Sequence, residues 1–146
     1  MSGPTIWTIG YEQATVAEVI AALTGAGVEI LADVRALPLS RRPGFSKSSL
    51  RSAVEQAGIA YRHMKPLGTP PDGRAAARAG RHDDLARIYA GQLELPEAMA
   101  AMAELRDLAG EKRVALLCYE REAAECHRRL LIEAALAEFE EVDLLP

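Results

Sequence analysis

Apolar positions along this chain switch between the solid or alternating runs of strands and the three-to-four spacing of helices, with turn residues between. Thr5–Ile9 is a short β-rich run that stops at Gly10, which predicts a first strand. Thr15-Val16-Ala17-Glu18 has the form of a capping box, and Val16, Val19, Ile20 and Leu23 follow at helical spacing until Gly25 and Gly27. Glu29–Arg35 reads as a second strand, apolar enough to be buried on both faces. Pro38–Phe45 is a loop, Ser46 an N-cap for a helix through Ala57, Gly58 its stop, and Ile59–His63 a third strand. Pro66–Arg81, rich in proline and glycine, reads as a long mobile loop, and loops of that length in a compact domain are usually functional. His82–Ala90 and Pro96–Ala109 read as helices, the second with Met99, Met102, Leu105 and Leu108 on one face. Val114–Tyr119 is the clearest strand, Ala123–Phe139 a helix with Leu130, Leu131, Ala134 and Leu136 at core positions, and Val142–Leu145 a last strand.

Strands alternating with helices predict a single α/β domain over residues 1–146, a mainly parallel five-stranded sheet with helices on both faces, Rossmann-like. By analogy with doubly wound folds the expected strand order is 3-2-1-4-5. Such sheets bind ligands beyond the carboxyl ends of their strands, near the point where the winding reverses.

Length and composition agree: 146 residues suffice for a core, and 49% apolar with 26% charged residues is the balance of a globular protein rather than a disordered one. No apolar run approaches the roughly 18 residues of a membrane-spanning helix. The first residues carry neither a basic region nor a long apolar stretch, so a cytoplasmic location is expected. In that setting Cys118 and Cys126 are expected as thiols, not as a structural disulfide.

Charge changes the picture more. Between Arg35 and Arg81 stand ten basic residues and two acids, a local charge of +8, which leaves −12 on the rest of a chain whose net charge is −4. An excess of this size suits an anionic partner, whereas general enrichment in arginine would not also exclude acids from the same stretch.

Four strand ends carry polar or reactive groups: Gly10-Tyr11, Asp33-Val34-Arg35, Tyr61-Arg62-His63 and Cys118-Tyr119-Glu120. An aspartate ending a buried strand needs partners, and Arg35 is one; a structural ion pair and an anion site are equally open for this pair. Arg35, Arg41 and Arg42 have the chemistry to hold a phosphate or carboxylate in bidentate fashion. Cys118-Tyr119-Glu120 with Cys126-His127-Arg128 is the densest constellation. A cysteine at a helix start is an activated thiol, Arg128 an anion clamp, and Glu120 and His127 an acid–base pair, while Cys118 reads more readily as a small buried hydrophobe than as a reactive thiol. Zinc is conceivable on the Cys, Glu, Cys, His set, but the spacing is that of no finger or ribbon, and no cofactor is expected. Tyr11, Phe45, Tyr61 and Tyr119 stand near arginines, where they stack on a base or, more often, roof a loop.

Thr8-Ile9-Gly10-Tyr11; Asp33-Val34-Arg35 with Pro38, Ser40-Arg41 and Phe45; Gly58-Ile59-Ala60-Tyr61 with His63 and Leu67-Gly68; and Cys118-Tyr119-Glu120 with Cys126-His127-Arg128 together resemble the domain-of-unknown-function 488 family, from Ile6 to Val142. The resemblance implies a compact α/β domain of a bacterial or archaeal cytosol and a site built from those motifs, with no established activity, substrate or cofactor. Two positions depart from the family pattern: Tyr119, where a small residue is usual, and Thr69, where a second glycine is common.

Two functional readings follow. In the first the chain is a hydrolase or transferase acting on a nucleotide, a nucleic-acid end or a phosphorylated metabolite. Asp33, Cys118, Glu120, Cys126 and His127 then form the reactive set; Arg35, Arg41, Arg42 and Arg128 bind the anion; Gly10, Tyr11, Phe45, Tyr61 and His63 shape the pocket. In the second, a nucleic-acid or nucleotide binding module uses the same arginines with no catalysis. No membrane partner is expected.

Overall fold

In the computed structural model, which describes residues 4–121 and 127–146, five parallel strands make one open, Rossmann-like α/β sheet. The strands are β1 (Thr5–Gly10), β2 (Ile30–Asp33), β3 (Ala60–His63), β4 (Val114–Cys118) and β5 (Glu140–Leu144). The helices are α1 (Val16–Gly25), α2 (Lys47–Gln56), α3 (Pro71–Arg78), α4 (His82–Leu93), α5 (Pro96–Glu111) and α6 (His127–Ala135), with a short 3-10 turn at Lys65–Leu67. No helix of the described residues is long and apolar enough to cross a membrane.

The order across the sheet is β3-β2-β4-β1-β5, which corrects the expected 3-2-1-4-5. The strand inserted between β1 and β2 is β4, the most apolar of the five and buried along its whole length. A strand that buries both faces is most stable at the centre, with a neighbour on each side. The chain moves from β1 over β4's place to β2 and β3, then turns back for β4 and β5. Right-handed crossovers therefore put α1 and α2 on one face and α4, α5 and α6 on the other. Two cores result. One joins Ile9, Val19, Leu23, Leu31, Leu50, Val54 and Leu117; the other joins Ile6, Ala32, Leu67, Leu105, Leu116, Leu131 and Leu136.

Pro66–Arg81 is not a long loop: it holds the 3-10 turn and α3. Pro71 opens α3 at a first-turn position, where its missing N–H costs no hydrogen bond, and Asp72 favours the positive end of the helix. The other elements deviate at their ends; α4 and α5 run further, to Leu93 and Glu111, and β2 stops at Asp33. The capping box forms as read, with Thr15 Oγ1 accepting from the Glu18 amide at 3.1 Å and Glu18 accepting from the Thr15 amide at 2.9 Å. Ser46 stands at the N-cap of α2 but makes no capping bond; its hydroxyl bonds the backbone of Ser40 and pins the preceding loop instead.

Candidate functional site

The direction of winding reverses at β4. Its loop leads toward α6 on one face, while those of its neighbours β1 and β2 lead to α1 and α2 on the other. The loops part there and leave a crevice at the carboxyl edge. A pocket of about 390 Å³ occupies it, walled by Tyr11 after β1, Arg35 to Leu37 after β2, Cys118 to Glu120 at the end of β4, His127 of α6, and Thr69, Arg74 and Arg78 at α3.

Alternation along each strand decides which side chains enter. Cys118 follows Val114 and Leu116 toward the α6 face, 2% exposed, and its thiol donates to Glu120 Oε2 at 3.5 Å. His127 Nε2 lies 2.7 Å from the Val34 carbonyl, which can only accept, so the ring carries its proton on Nε2. Tyr89 packs edge-to-face with the same ring, centroids 5.3 Å apart, and the Tyr89 hydroxyl donates to the Leu67 carbonyl at 2.7 Å.

Asp33 points the other way, with Leu31, and is 0% exposed. Its carboxylate accepts from Arg35 Nε at 2.8 Å, Arg35 Nη2 at 2.7 Å, the Arg35 amide at 3.2 Å and the Tyr61 hydroxyl. Arg35 Nη1 donates to the Phe45 carbonyl at 2.7 Å and to the Tyr11 hydroxyl at 3.2 Å. Four of the five N–H donors of a guanidinium are thus used inside the protein, one on Nη2 is left over, and Arg35 is among the residues that line the pocket. Burial opposes the charge on Arg35, but the hydrogen bonds and attraction of Asp33 outweigh it and raise the pKa further. Asp33 fixes the arginine; it does not reach the cavity.

Burial also pushes the Tyr61 phenol well above its ordinary value, and its bond to Asp33 adds to the shift. An unfolded chain releases that proton first. The contribution is fully present below the ordinary phenol pKa of 10.0 and is lost as pH climbs above it toward the folded value. Urea unfolding across that range is expected to show stability falling with pH, and Tyr61→Phe should flatten the slope.

Gly10, Phe45, Arg42 and Arg128 serve the frame. Gly10 is required because a Cβ there would lie 1.7 Å from the Glu120 carbonyl oxygen, a clash with backbone. The buried Arg128 donates to that same carbonyl from beneath. Phe45 is buried and stacks on Tyr11 at 4.4 Å, the loop-roofing role, and Arg42 crosses Phe45 to donate to the carbonyls of Tyr11 at 3.1 Å and Ala14 at 2.6 Å. Arg41 is exposed and lies outside the pocket. His63 bonds the Arg35 carbonyl at 2.9 Å and, with Tyr61, lines a separate recess beside α5. Cys126 lies outside the described residues. Among the described residues no three His, Cys, Asp or Glu side chains gather as a metal site.

Arg74, Arg78 and Thr69 stand where the sequence reading placed Arg41 and Arg42. Arg74 Nη1 donates to the Thr69 carbonyl at 2.8 Å, and Arg78 is exposed one turn further along α3. The signal that pointed to them was the basic excess itself. Hidden among the prolines was the helix that presents them.

The model of the family described as Domain of unknown function DUF488 matches residues 15–135. No curated protein and no solved structure matches the chain.

Proposed function

This chain belongs to the DUF488 family, and we propose that it is a cytoplasmic, bacterial enzyme, a hydrolase or transferase, acting as one domain on an anionic substrate at the carboxyl edge of its sheet. The observation that carries the reading is the content of one cavity: a thiol in hydrogen-bond contact with a carboxylate, and Arg35, Arg74 and Arg78 on the surrounding wall. Pure recognition of an anion needs the arginines only.

The roles follow from the geometry. The spare Nη2 donor of Arg35 and the guanidinium groups of Arg74 and Arg78 hold the anionic group. Glu120 takes the proton of Cys118, the thiolate bonds to the electrophilic centre next to the anion as the bond from that centre to the leaving group breaks, and Glu120 returns the proton to the departing group. His127, its tautomer set by the Val34 carbonyl, faces the leaving group from the wall of α6. Water completes the reaction in a hydrolase, a second substrate in a transferase. The substrate classes that fit are a nucleotide, a nucleic-acid end and a phosphorylated metabolite. No cofactor enters the scheme.

A second reading, a nucleotide or nucleic-acid binding module without catalysis, draws support from the near-complete burial of Cys118.

Titration calorimetry with pyrophosphate tests the anion site. Arg78→Ala is expected to weaken binding roughly 10- to 100-fold, the scale of a hydrogen bond to a charged group, and to make the affinity less sensitive to salt. Arg41→Ala should leave both unchanged. Equal behaviour of the two variants would remove α3 from the anion site.

A further inference from the structure

We infer that the substrate is a nucleoside phosphate, with its phosphate among the arginines of the pocket and its base in a second recess reached across Leu37. This rests on the anionic-substrate reading above. The second recess, about 420 Å³, shares Ala36, Leu37 and Arg74 with the first. Gly68 and Ala36, both in the lining of the second recess, meet backbone to backbone: a Cβ on Gly68 would lie 2.2 Å from the Ala36 nitrogen. Together the recesses have the size of a site for a whole small molecule rather than for a lone phosphate, roughly 300–1,000 Å³.

The walls state what the second part of that molecule is. Leu37 stands 53% exposed on the partition, and Pro66, Pro70 and Pro71 give rigid apolar faces. A flat ring covers the proline faces at little entropic cost, since neither the ring nor proline has side-chain torsions to freeze. The rim is polar. Gln92 Nε2 donates to the Pro66 carbonyl at 2.9 Å, which fixes the amide and leaves its Oε1 as an acceptor; Glu97 and Lys65 stand beside it. An alkyl chain would strip water from these groups without replacing its hydrogen bonds, whereas the edge of a base replaces them. Arg74 lies between the recesses, where the phosphate ester joins the sugar. A small phosphorylated metabolite would leave the Leu37 face in water.

Calorimetry on the full chain with the four nucleoside 5′-monophosphates, ribose 5-phosphate and the four nucleosides tests this. At least one monophosphate is expected to bind about ten-fold or more tighter than ribose 5-phosphate. Leu37→Ala, at an exposed position that carries no core packing, should erase that gain and leave ribose 5-phosphate unchanged. Arg78→Ala should weaken both. Monophosphates and ribose 5-phosphate of equal affinity would overturn the nucleoside assignment and leave the anionic reading standing. Nucleosides that bind as tightly as their monophosphates, or no binding by any of the three groups, would overturn both.

Discussion

Asp33→Ala is expected to cost about 3–5 kcal/mol of stability, because it strands a buried arginine. The Asp33 carboxylate takes three bonds from Arg35 and one from Tyr61 with no access to water. Without it, the guanidinium keeps two neutral oxygen partners and an uncompensated charge. In a domain near 150 residues each kcal/mol moves the melting temperature by about 3 °C, so a drop of roughly 10–15 °C is anticipated by calorimetric scanning. Adding Arg35→Met removes the stranded charge and should recover part of the loss. A single variant that melts within a few degrees of the parent would show that water reaches Arg35 and that the pair is not the buried strut described above.

Glu120→Gln is expected to lower turnover 10²- to 10⁴-fold while leaving pyrophosphate affinity within a few-fold. The glutamine keeps the size of the side chain and its partial exposure, so melting should shift by no more than a few degrees. What it loses is the ability to take the Cys118 proton across the 3.5 Å contact. Cys118→Ser should lose turnover on the same scale, since a hydroxyl there is a far weaker nucleophile than a thiolate. Steady-state assays on nucleotides, nucleic-acid ends and phosphorylated metabolites read both variants. If the parent chain binds pyrophosphate but turns over none of these, the binding-module reading takes its place.

Hydropathy patterning marked all five strands, because burial leaves a local trace in each. It was silent on their order, which depends on pairing between distant segments; analogy then misplaced β4. The same locality explains the site. Cys118, Glu120, His127 and Arg35 were legible because strand ends beside helix starts must gather at one edge. Asp33 lies two residues before Arg35 and holds its guanidinium, yet it points with Leu31 away from Cys118 and stays out of the pocket. Arg41 and Arg42 lie outside the pocket that Arg74 and Arg78 line, a placement that a count of charges along the chain does not give. Pro70 and Pro71 masked α3, although proline opens helices as readily as it interrupts them, and the run Ala75-Ala76-Ala77 favours one.

The place of β4 also bears on how the chain assembles during synthesis. β2 and β3 are neighbours in sequence and in the sheet, so they can pair as soon as both have left the ribosome. β1 cannot: its partners among the described strands are β4 and β5, more than a hundred residues downstream. Until then its edges stay unpaired and Ile6 and Ile9 lack their final cover, a state open to aggregation. Pairing β1 with β4 must close a loop of more than a hundred residues, the kind of distant contact that slows folding. A nascent chain halted before Val114 would thus lack both the centre of its sheet and the wall that carries Cys118, and its first strand would be the segment for a chaperone to guard.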